Sequence, residues 1–372
     1  MSNKKNIKIG IVIGEHSGDK LGSEIIQSLS KEFELNIFGV GGPLTEAVGL
    51  NSIFNFKELN VMGLIEPFLK IKKLLSYRKK LIQLFQDEKI DYFIGVDSPD
   101  FNMPIHKALK KNGFTKTIQL VSPSVWGWRQ GRMKNINKYI DLTLCLFKFE
   151  HEFYQSNETN SFLVGHPLSK ITKPLKEDVK SKYMLEDHKE YMAVLPGSRN
   201  SEINNMMPTY VEFMKDASKK YQNFHFLIPA ADNYLKKKIE SFLPEDLPVT
   251  IKTGAAKDFL SVSNFSLVTS GTATLEAAIL RSAPIICYKT NRFNYFIISR
   301  MLKTKLVGLP NLLLSKEAFP ELIQSKCNKE SISNALNSLK ESNELANIFV
   351  ELNSHLDGHG FDAAAKTIID LK

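Results

Sequence analysis

Cysteine is scarce in this chain: Cys145, Cys287 and Cys327 are the only three in 372 residues. They lie far apart and form no CxxC pair, which argues against a disulfide framework and against a cysteine-based metal site. They read as reduced thiols of the core. Long apolar runs are missing too, since no stretch approaches the ~20 apolar residues of a spanning helix. The opening MSNKKNIKIGIVIGEHSGD sets lysines before an apolar run, as a signal peptide would. That run is short, meets Glu15 at once and lacks a small-residue cleavage site, so it reads as a first strand of a cytoplasmic protein. There is no HExxH or other metal spacing among the histidines, no Walker sequence, no GxSxG elbow, and no GxGxxG with a following acidic residue. The sequence grounds for zinc, P-loop, serine-hydrolase and dinucleotide chemistry are therefore absent.

What is present is an ordinary globular composition, 43% apolar and 24% charged, at a length that suits two domains. Lys plus Arg exceed Asp plus Glu by 49 to 40, a formal charge of +9. Such a balance attracts anions in general: acidic lipid, phosphorylated substrate or nucleic acid. The basic residues are spread out and not interleaved with stacking aromatics, which disfavours nucleic acid.

Short apolar runs alternate with longer amphipathic segments. IKIGIVIG (7–14), NIFGV (36–40), YFIGV (92–96), TIQLV (117–121), LTLCL (142–146) and SFLVG (161–165) look like strands of one parallel sheet covered on both faces. A helix is expected over 18–31. After a lysine-rich, proline-containing stretch at 170–189 the pattern restarts with YMAVLPGSR, FHFLIPA, PVTIKTG, FSLVTSGT and APIICYK. Two such series predict an α/β protein of two doubly wound domains facing across a cleft, with ligands outside the carboxyl ends of the strands. The expected boundaries are 1–168, 169–345, and a helical tail at 346–372 that packs back on the first domain or on a partner subunit.

The unusual motifs fall at those strand ends. GEHSGDKLG (14–22) opens a helix, with Gly14 and Gly18 permitting close backbone approach and Ser17 and Asp19 placed to cap it; a plain tight turn explains it equally well. GVGGP (39–43) is similarly open. GVDSPDFN (95–102) sets two carboxylates, Asp97 and Asp100, in a turn forced by Pro99. A carboxylate at a cleft edge can take a proton from an attacking hydroxyl, or it can simply cap the next helix. The pair is not a metal-chelating DxD, so no metal is called for. VSPSVWGWRQGR (121–132) holds both tryptophans of the chain, Trp126 and Trp128, beside Arg129 and Arg132, an arrangement suited to a sugar or acyl face and a phosphate.

In the second half, LPGSRNSEI (195–203) brings Gly197, Ser198 and Arg199 to a helix start. Backbone amides, a hydroxyl and a guanidinium converge there on an anion. Arginine in that position opposes the helix dipole, which makes sense if an anion is bound. TSGTATLEAAI (269–279) repeats the design with Ser270, Gly271 and Thr272, and carries Glu276 where a carboxylate can accept both ribose hydroxyls. Taken alone, that motif is an ordinary capped helix. VMGLIEPFLKIKKLLSYRKK (61–80) is a basic amphipathic segment in which Val61, Met62, Leu64, Ile65, Phe68 and Leu69 would enter a leaflet beside Lys72 and Lys73; a solvated surface helix has the same pattern. His166 in VGHPL (164–168) follows the last strand of the first domain as a hinge or ligand candidate.

Together and in order, GEHSGD, GVGGP, VMGLIEPF, GVDSPDFN, VSPSVWGWRQGR, VGHPL, LPGSRNSEI, TSGTATLEAA and VGLPNLL resemble the lipid-A-disaccharide synthase family of glycosyltransferases, from residue 14 to about 313. The resemblance implies a GT-B fold and transfer of 2,3-diacylglucosamine from its UDP derivative to the 6-hydroxyl of 2,3-diacylglucosamine 1-phosphate (lipid X). The products would be a β-1′,6 disaccharide 1-phosphate and UDP, formed with inversion and without a cofactor. It assigns activation of the acceptor hydroxyl to Asp97, with Asp100 beside it, and the pyrophosphate to Arg199 with Gly197, Ser198, Ser270, Gly271 and Thr272. Glu276 and Asn311 become nucleoside contacts. Gly14, Glu15, Ser17, Ser122, Trp126, Trp128, Arg129 and His166 become candidates for the acceptor or donor sugar. It also implies peripheral binding at the cytoplasmic face of the inner membrane and a possible homodimer that exchanges C-terminal segments. Two rivals fit parts of the pattern: another GT-B enzyme such as a UDP-N-acetylglucosamine epimerase, and a non-catalytic sugar-nucleotide-binding module.

Overall fold

A computed structural model describes residues 4–59, 66–123, 125, 130–290 and 306–371. These residues form two compact units, the first of 4–169 with 356–371 and the second of 170–290 with 306–355. Each unit is built on one parallel sheet, and the two are described in turn.

The first sheet contains β1 (Asn6–Ile13), β2 (Glu34–Val40), β3 (Asn51–Ser52), β4 (Tyr92–Val96), β5 (Lys116–Leu120), β6 (Leu142–Cys145) and β7 (Ser161–Leu163), in the order β3-β2-β1-β4-β5-β6-β7. Ile7, Ile9, Ile11, Val12 and Ile13 of β1 are all buried, so both of its faces are covered, as its unbroken apolarity requires. The helix His16–Ser30 buries Leu21, Ile25, Ile26 and Leu29, a spacing that gives one apolar stripe. β3, of two residues, was not expected from the sequence.

The second sheet contains β8 (Glu190–Leu195), β9 (Phe224–Ala230), β10 (Val249–Thr253), β11 (Phe265–Thr269), β12 (Ala283–Tyr288) and β13 (Glu321–Ile323), in the order β10-β9-β8-β11-β12-β13. The edge strand β13, three residues long, was likewise not expected. Both units are thus doubly wound and Rossmann-like. Cys145, Cys287 and Cys327 are buried free thiols.

Residues beyond 355 return to the first unit. The His359 and Gly360 amides donate to the carbonyls of Leu163 and Val164, at 3.1 and 2.8 Å, and the His166 amide donates to Leu356 O at 2.9 Å. Gly165 and Gly358 face each other so closely that a Cβ on Gly358 would stand 2.3 Å from the Gly165 nitrogen. Lys31 Nζ meets Asp362 at 2.6 Å.

Strand β2 depends on Gly39. Its φ is +136°, and a Cβ there would lie 1.9 Å from the carbonyl oxygen of its neighbour Ile11. We expect Gly39→Ala to destabilise the first unit by about 3 kcal/mol or more. Equilibrium denaturation would read this as a lower midpoint.

Candidate active site

Each sheet reverses its strand order once. In the first unit the reversal lies between β1 and β4, and in the second between β8 and β11. Helices leaving neighbouring strands at such a point go to opposite faces, which opens a crevice at the carboxyl ends. The sequence motifs coincide with these points: GEHSGD follows β1, DSPD follows β4, PGSR follows β8 and SGT follows β11.

At the first reversal, the turns after β1 and β4 touch. A Cβ on buried Gly14 would sit 3.1 Å from Ser98 Oγ, and one on Gly18 would sit 3.2 Å from Val96 Cγ1. Asp97 and Ser98 both adopt left-handed backbone, with φ of +49° and +41°, an unfavourable state for two successive non-glycine residues. The turn is held from below. The Asp97 carbonyl accepts Asn102 Nδ2 at 2.9 Å and Gln119 Nε2 at 3.0 Å, while its amide donates to Leu120 O at 2.9 Å. The Asp97 side chain is half-buried, and burial raises its pKa above the ordinary carboxylate value, opposed by a hydrogen bond from the Ser98 amide. Asp100, one turn on, is exposed and ion-paired to Arg132, and Arg78 Nη2 donates to its carbonyl at 3.1 Å. One carboxylate is thus desolvated and the other is neutralised at the surface.

The support beneath Asp97 was not expected from the sequence. Gln119 on β5 and Asn102 and His106 on the helix Pro99–Lys110 are all buried. With the Gln119 amide nitrogen turned to backbone carbonyls, its oxygen faces His106 Nε2 at 3.0 Å, so that nitrogen carries the proton. Asn102 Oδ1 and His106 Nδ1 then have no hydrogen-bond partner, a cost of about 1–3 kcal/mol each. The only hint in the sequence was a glutamine inside the apolar run TIQLV.

Ser122 and His166 lie at the carboxyl ends of β5 and β7 in the same unit. Ser122 is buried, donating to Pro123 O at 3.0 Å and reaching Tyr154 Oη at 3.4 Å. Half-buried His166 stacks on Phe147 at 5.2 Å and accepts the Leu168 amide at Nδ1, at 3.2 Å. Glu15 is half-buried and Ser17 exposed. Trp126, Trp128 and Arg129 lie outside the described residues. The helix His16–Ser30 has no side-chain cap from Ser17. Asp19 does not cap that helix either: it accepts the amides of Gly42, Leu44 and Thr45 at 2.9, 2.9 and 3.1 Å and so caps the next turn, GVGGP.

At the second reversal, Gly197 has φ +114° and Ser198 and Arg199 lead into the helix Asn200–Lys220. The electrostatic conflict expected of Arg199 is answered within the chain. Glu202 accepts Arg199 Nη1 at 2.7 Å and the Ser198 amide at 2.9 Å, and a Cβ on Gly197 would strike it at 2.4 Å. Glu202 was not expected from the sequence, although its spacing of three from Arg199 is that of a first-turn pair. On the adjacent strand, Gly271 and Thr272 are exposed at the start of the helix Thr272–Ile279, which has no side-chain cap. Ser270 Oγ reaches Val307 O at 3.4 Å, and Glu276 is half-buried in that helix.

Asn311 does not present its side chain as expected for a nucleoside contact. It is fully buried, donating to Phe319 O at 2.7 Å and Glu321 Oε1 at 2.8 Å and accepting the Phe319 amide at 2.9 Å. Glu321 also accepts the amides of Val307 and Gly308, each at 2.9 Å. Both residues hold the segment that Ser270 touches.

The basic helix spans Glu66–Asp87. Leu74, Tyr77, Leu81 and Phe85 face the core, whereas Ile71 and Leu75, 47% and 51% exposed, share the outer face with exposed Lys72 and Lys79. Lys73 is turned to Glu58 at 2.7 Å. Val61, Met62, Leu64 and Ile65 lie outside the described residues, as do the side chains of Phe68 and Leu69. Among the described residues no helix is long and apolar enough to cross a membrane.

A sequence model of the lipid-A-disaccharide synthetase family matches residues 9–362. The lipid-A-disaccharide synthase of Idiomarina loihiensis is 37% identical over 99% of both chains. That of Acinetobacter baylyi is 37% identical over 95% of this chain and 92% of its own. Among solved structures, a UDP-GlcNAc 2-epimerase from Neisseria meningitidis bound to UDP-GlcNAc superposes with a TM-score of 0.61 at 14% identity, covering 98% of each chain. A spinosyn rhamnosyltransferase gives 0.62 at 9% identity, covering 98% of this chain and 100% of its own.

Burial lowers the His106 and His166 imidazoles from 6.5 to about 4, with Lys20 adding to the effect at His166. An unfolded chain takes up these protons near pH 6.5 and the folded one only near 4, so stability is complete above that window and falls as the pH drops through it. We expect a loss of about 3 kcal/mol per histidine between pH 7 and 4, seen in urea midpoints, with His166→Gln removing roughly half of it.

Proposed function

The chain belongs to the lipid-A-disaccharide synthase family of glycosyltransferases, and from that premise we propose that it moves 2,3-diacylglucosamine from UDP to the 6-hydroxyl of lipid X with inversion. The observation that carries the reading is the desolvated carboxylate of Asp97, fixed on a strained turn where the first sheet reverses. A raised pKa makes Asp97 a stronger proton acceptor than a solvated carboxylate. Asp100, paired with Arg132, serves the shape of the turn. As the acceptor oxygen attacks the anomeric carbon, Asp97 takes its proton and the bond to UDP breaks on the opposite side.

The second unit holds the leaving group. Arg199 and the amides of Gly271 and Thr272 neutralise the diphosphate, and Glu276 takes the ribose. Asn311 and Glu321 act by holding the 306–311 segment. The epimerase similarity supports a sugar-nucleotide fold and no more, since identity is only 14%. Supplying both acylated substrates in detergent should yield the disaccharide and free UDP. Epimerisation of an unacylated sugar nucleotide, with no disaccharide, would refute the reading. We expect Asp97→Asn to lower turnover at least 10³-fold with UDP affinity unchanged by calorimetry, and Arg199→Ala to weaken both.

Peripheral attachment to the cytoplasmic face of the inner membrane follows from substrates that are lipids and from the outer face of Glu66–Asp87. Ile71 and Leu75 enter the interface while Lys72 and Lys79 face anionic headgroups, each worth ~1 kcal/mol. Cosedimentation with phosphatidylglycerol-containing vesicles should fall by about fivefold or more in Lys72→Glu/Lys79→Glu. Unchanged binding would exclude this helix as the attachment site.

A further inference from the structure

We infer that Gln119 is a positioning residue for the transfer reaction, acting with Asn102 to fix the backbone from which the Asp97 carboxylate is presented. The inference rests on the reading of Asp97 as the base and extends it to residues that touch no substrate.

Three non-glycine residues near the end of β4 and β5 have left-handed backbone: Asp97, Ser98 and Val121, the last with φ +71° despite its branched side chain. One buried amide reaches two of them. Gln119 Nε2 is 3.0 Å from Asp97 O, 3.3 Å from Val121 O and 3.2 Å from Leu120 O. Asn102 Nδ2 adds a second donor to Asp97 O at 2.9 Å and lies 3.5 Å from Val96 O. These carbonyls belong to the turns that leave two neighbouring strands, so the amide ties the β4 turn to the β5 turn across the sheet. His106 fixes the amide's orientation by donating to its oxygen.

A core built only for stability has no need of this arrangement. Apolar side chains at 102, 106 and 119 would fill the space without leaving Asn102 Oδ1 and His106 Nδ1 unpartnered. Gly95 is kept free of a side chain to admit the cluster, since a Cβ there would stand 3.0 Å from His106 Nε2 and 3.1 Å from Asn102 Cβ. Strain and unpartnered polar atoms persist where they serve a site. What the cluster controls is the direction in which the Asp97 Cα–Cβ bond points, and small misplacements of a reacting group cost rate more than binding.

The test uses the full-length enzyme in detergent with both acylated substrates. Gln119→Met keeps length and apolar fit but loses the donor, and Asn102→Ala removes the other donor along with an unpartnered oxygen. Both should lower kcat, by about 10- to 100-fold for Gln119→Met and less for Asn102→Ala, with KM for either substrate changed less than about twofold. Asn102→Ala also serves if Gln119→Met fails to fold, which thermal unfolding would reveal. In the Asp97→Asn background, either change should have no further effect, because its action passes through Asp97. A wild-type kcat in a folded Gln119→Met or Asn102→Ala enzyme, with Asp97→Asn inactive, would overturn the inference and leave the base standing. An active Asp97→Asn enzyme would remove the base and the inference together. Full multiplicative loss in the double variants would show a general structural effect and overturn the positioning role.

Discussion

Everything functional in this chain hangs on one topological constraint, the single reversal of strand order in each parallel sheet. Right-handed crossovers put the helices of a run in one direction on one face of the sheet, so covering the other face requires the chain to return from β3 and lay β4 on the other side of β1. The same holds for β8, β9, β10 and the return to β11. Helices from adjoining strands must then diverge to opposite faces, and the turns that start them are left uncovered at the carboxyl edge. Glycines and strained residues collect there, Gly14, Asp97 and Ser98 in the first unit and Gly197 and Gly271 in the second. The close approach of Gly14 to Ser98 shows how near the two turns run in the first unit.

Much of this was legible in the sequence because burial on both faces writes a strand as an unbroken apolar run. β1, β4, β8 and β11 were all visible that way, and so were the motifs that follow them. β3 and β13 were not, because neither NS nor ELI lies in an apolar run, whereas the equally short edge strand β7 lies in SFLVG. Side-chain partners distant in sequence were also hidden. Asp19 stood in a motif that favours a local cap, yet its carboxylate reaches 23 to 26 residues ahead to the turn after β2. Asn311 stood in a motif suited to ligand contact, yet both ends of its amide close a loop onto Phe319 and Glu321. Residue type predicted hydrogen-bonding capacity, and only the fold decided the partner.

Three carboxylates, Asp19, Glu202 and Glu321, do the same physical work on turn amides. Exposed or half-buried N–H groups at a helix start attract negative charge whatever its source, and the chain's own acids supply it. In the second unit this divides the proposed diphosphate site into two unlike parts. Arg199 and the Ser198 amide already have Glu202 as a partner, so an incoming phosphate gains only the difference between its own interaction and the one it disturbs. The start of Thr272–Ile279 has no side-chain cap, so an anion there gains the whole interaction. On this reading the uncapped turn supplies the larger share of the binding energy. Arg199, with its remaining guanidinium donors, would then serve mainly to meet charge that grows as the bond to UDP breaks.

The two aspartates of DSPD show how a few ångströms of burial separate chemical fates. Asp100 projects into solvent, where Arg132 pairs with it and water screens it. Asp97 sits in the angle between two turns, where desolvation disfavours its charge and only the Ser98 amide opposes the effect. A carboxylate partly withdrawn from water draws a proton more strongly than a solvated one. That intermediate position must be held by the backbone, because a side chain free to rotate would turn toward water. The left-handed conformation of Asp97 and Ser98 is how the chain holds that intermediate position, and the buried amides beneath them are what keeps so unfavourable a backbone from relaxing.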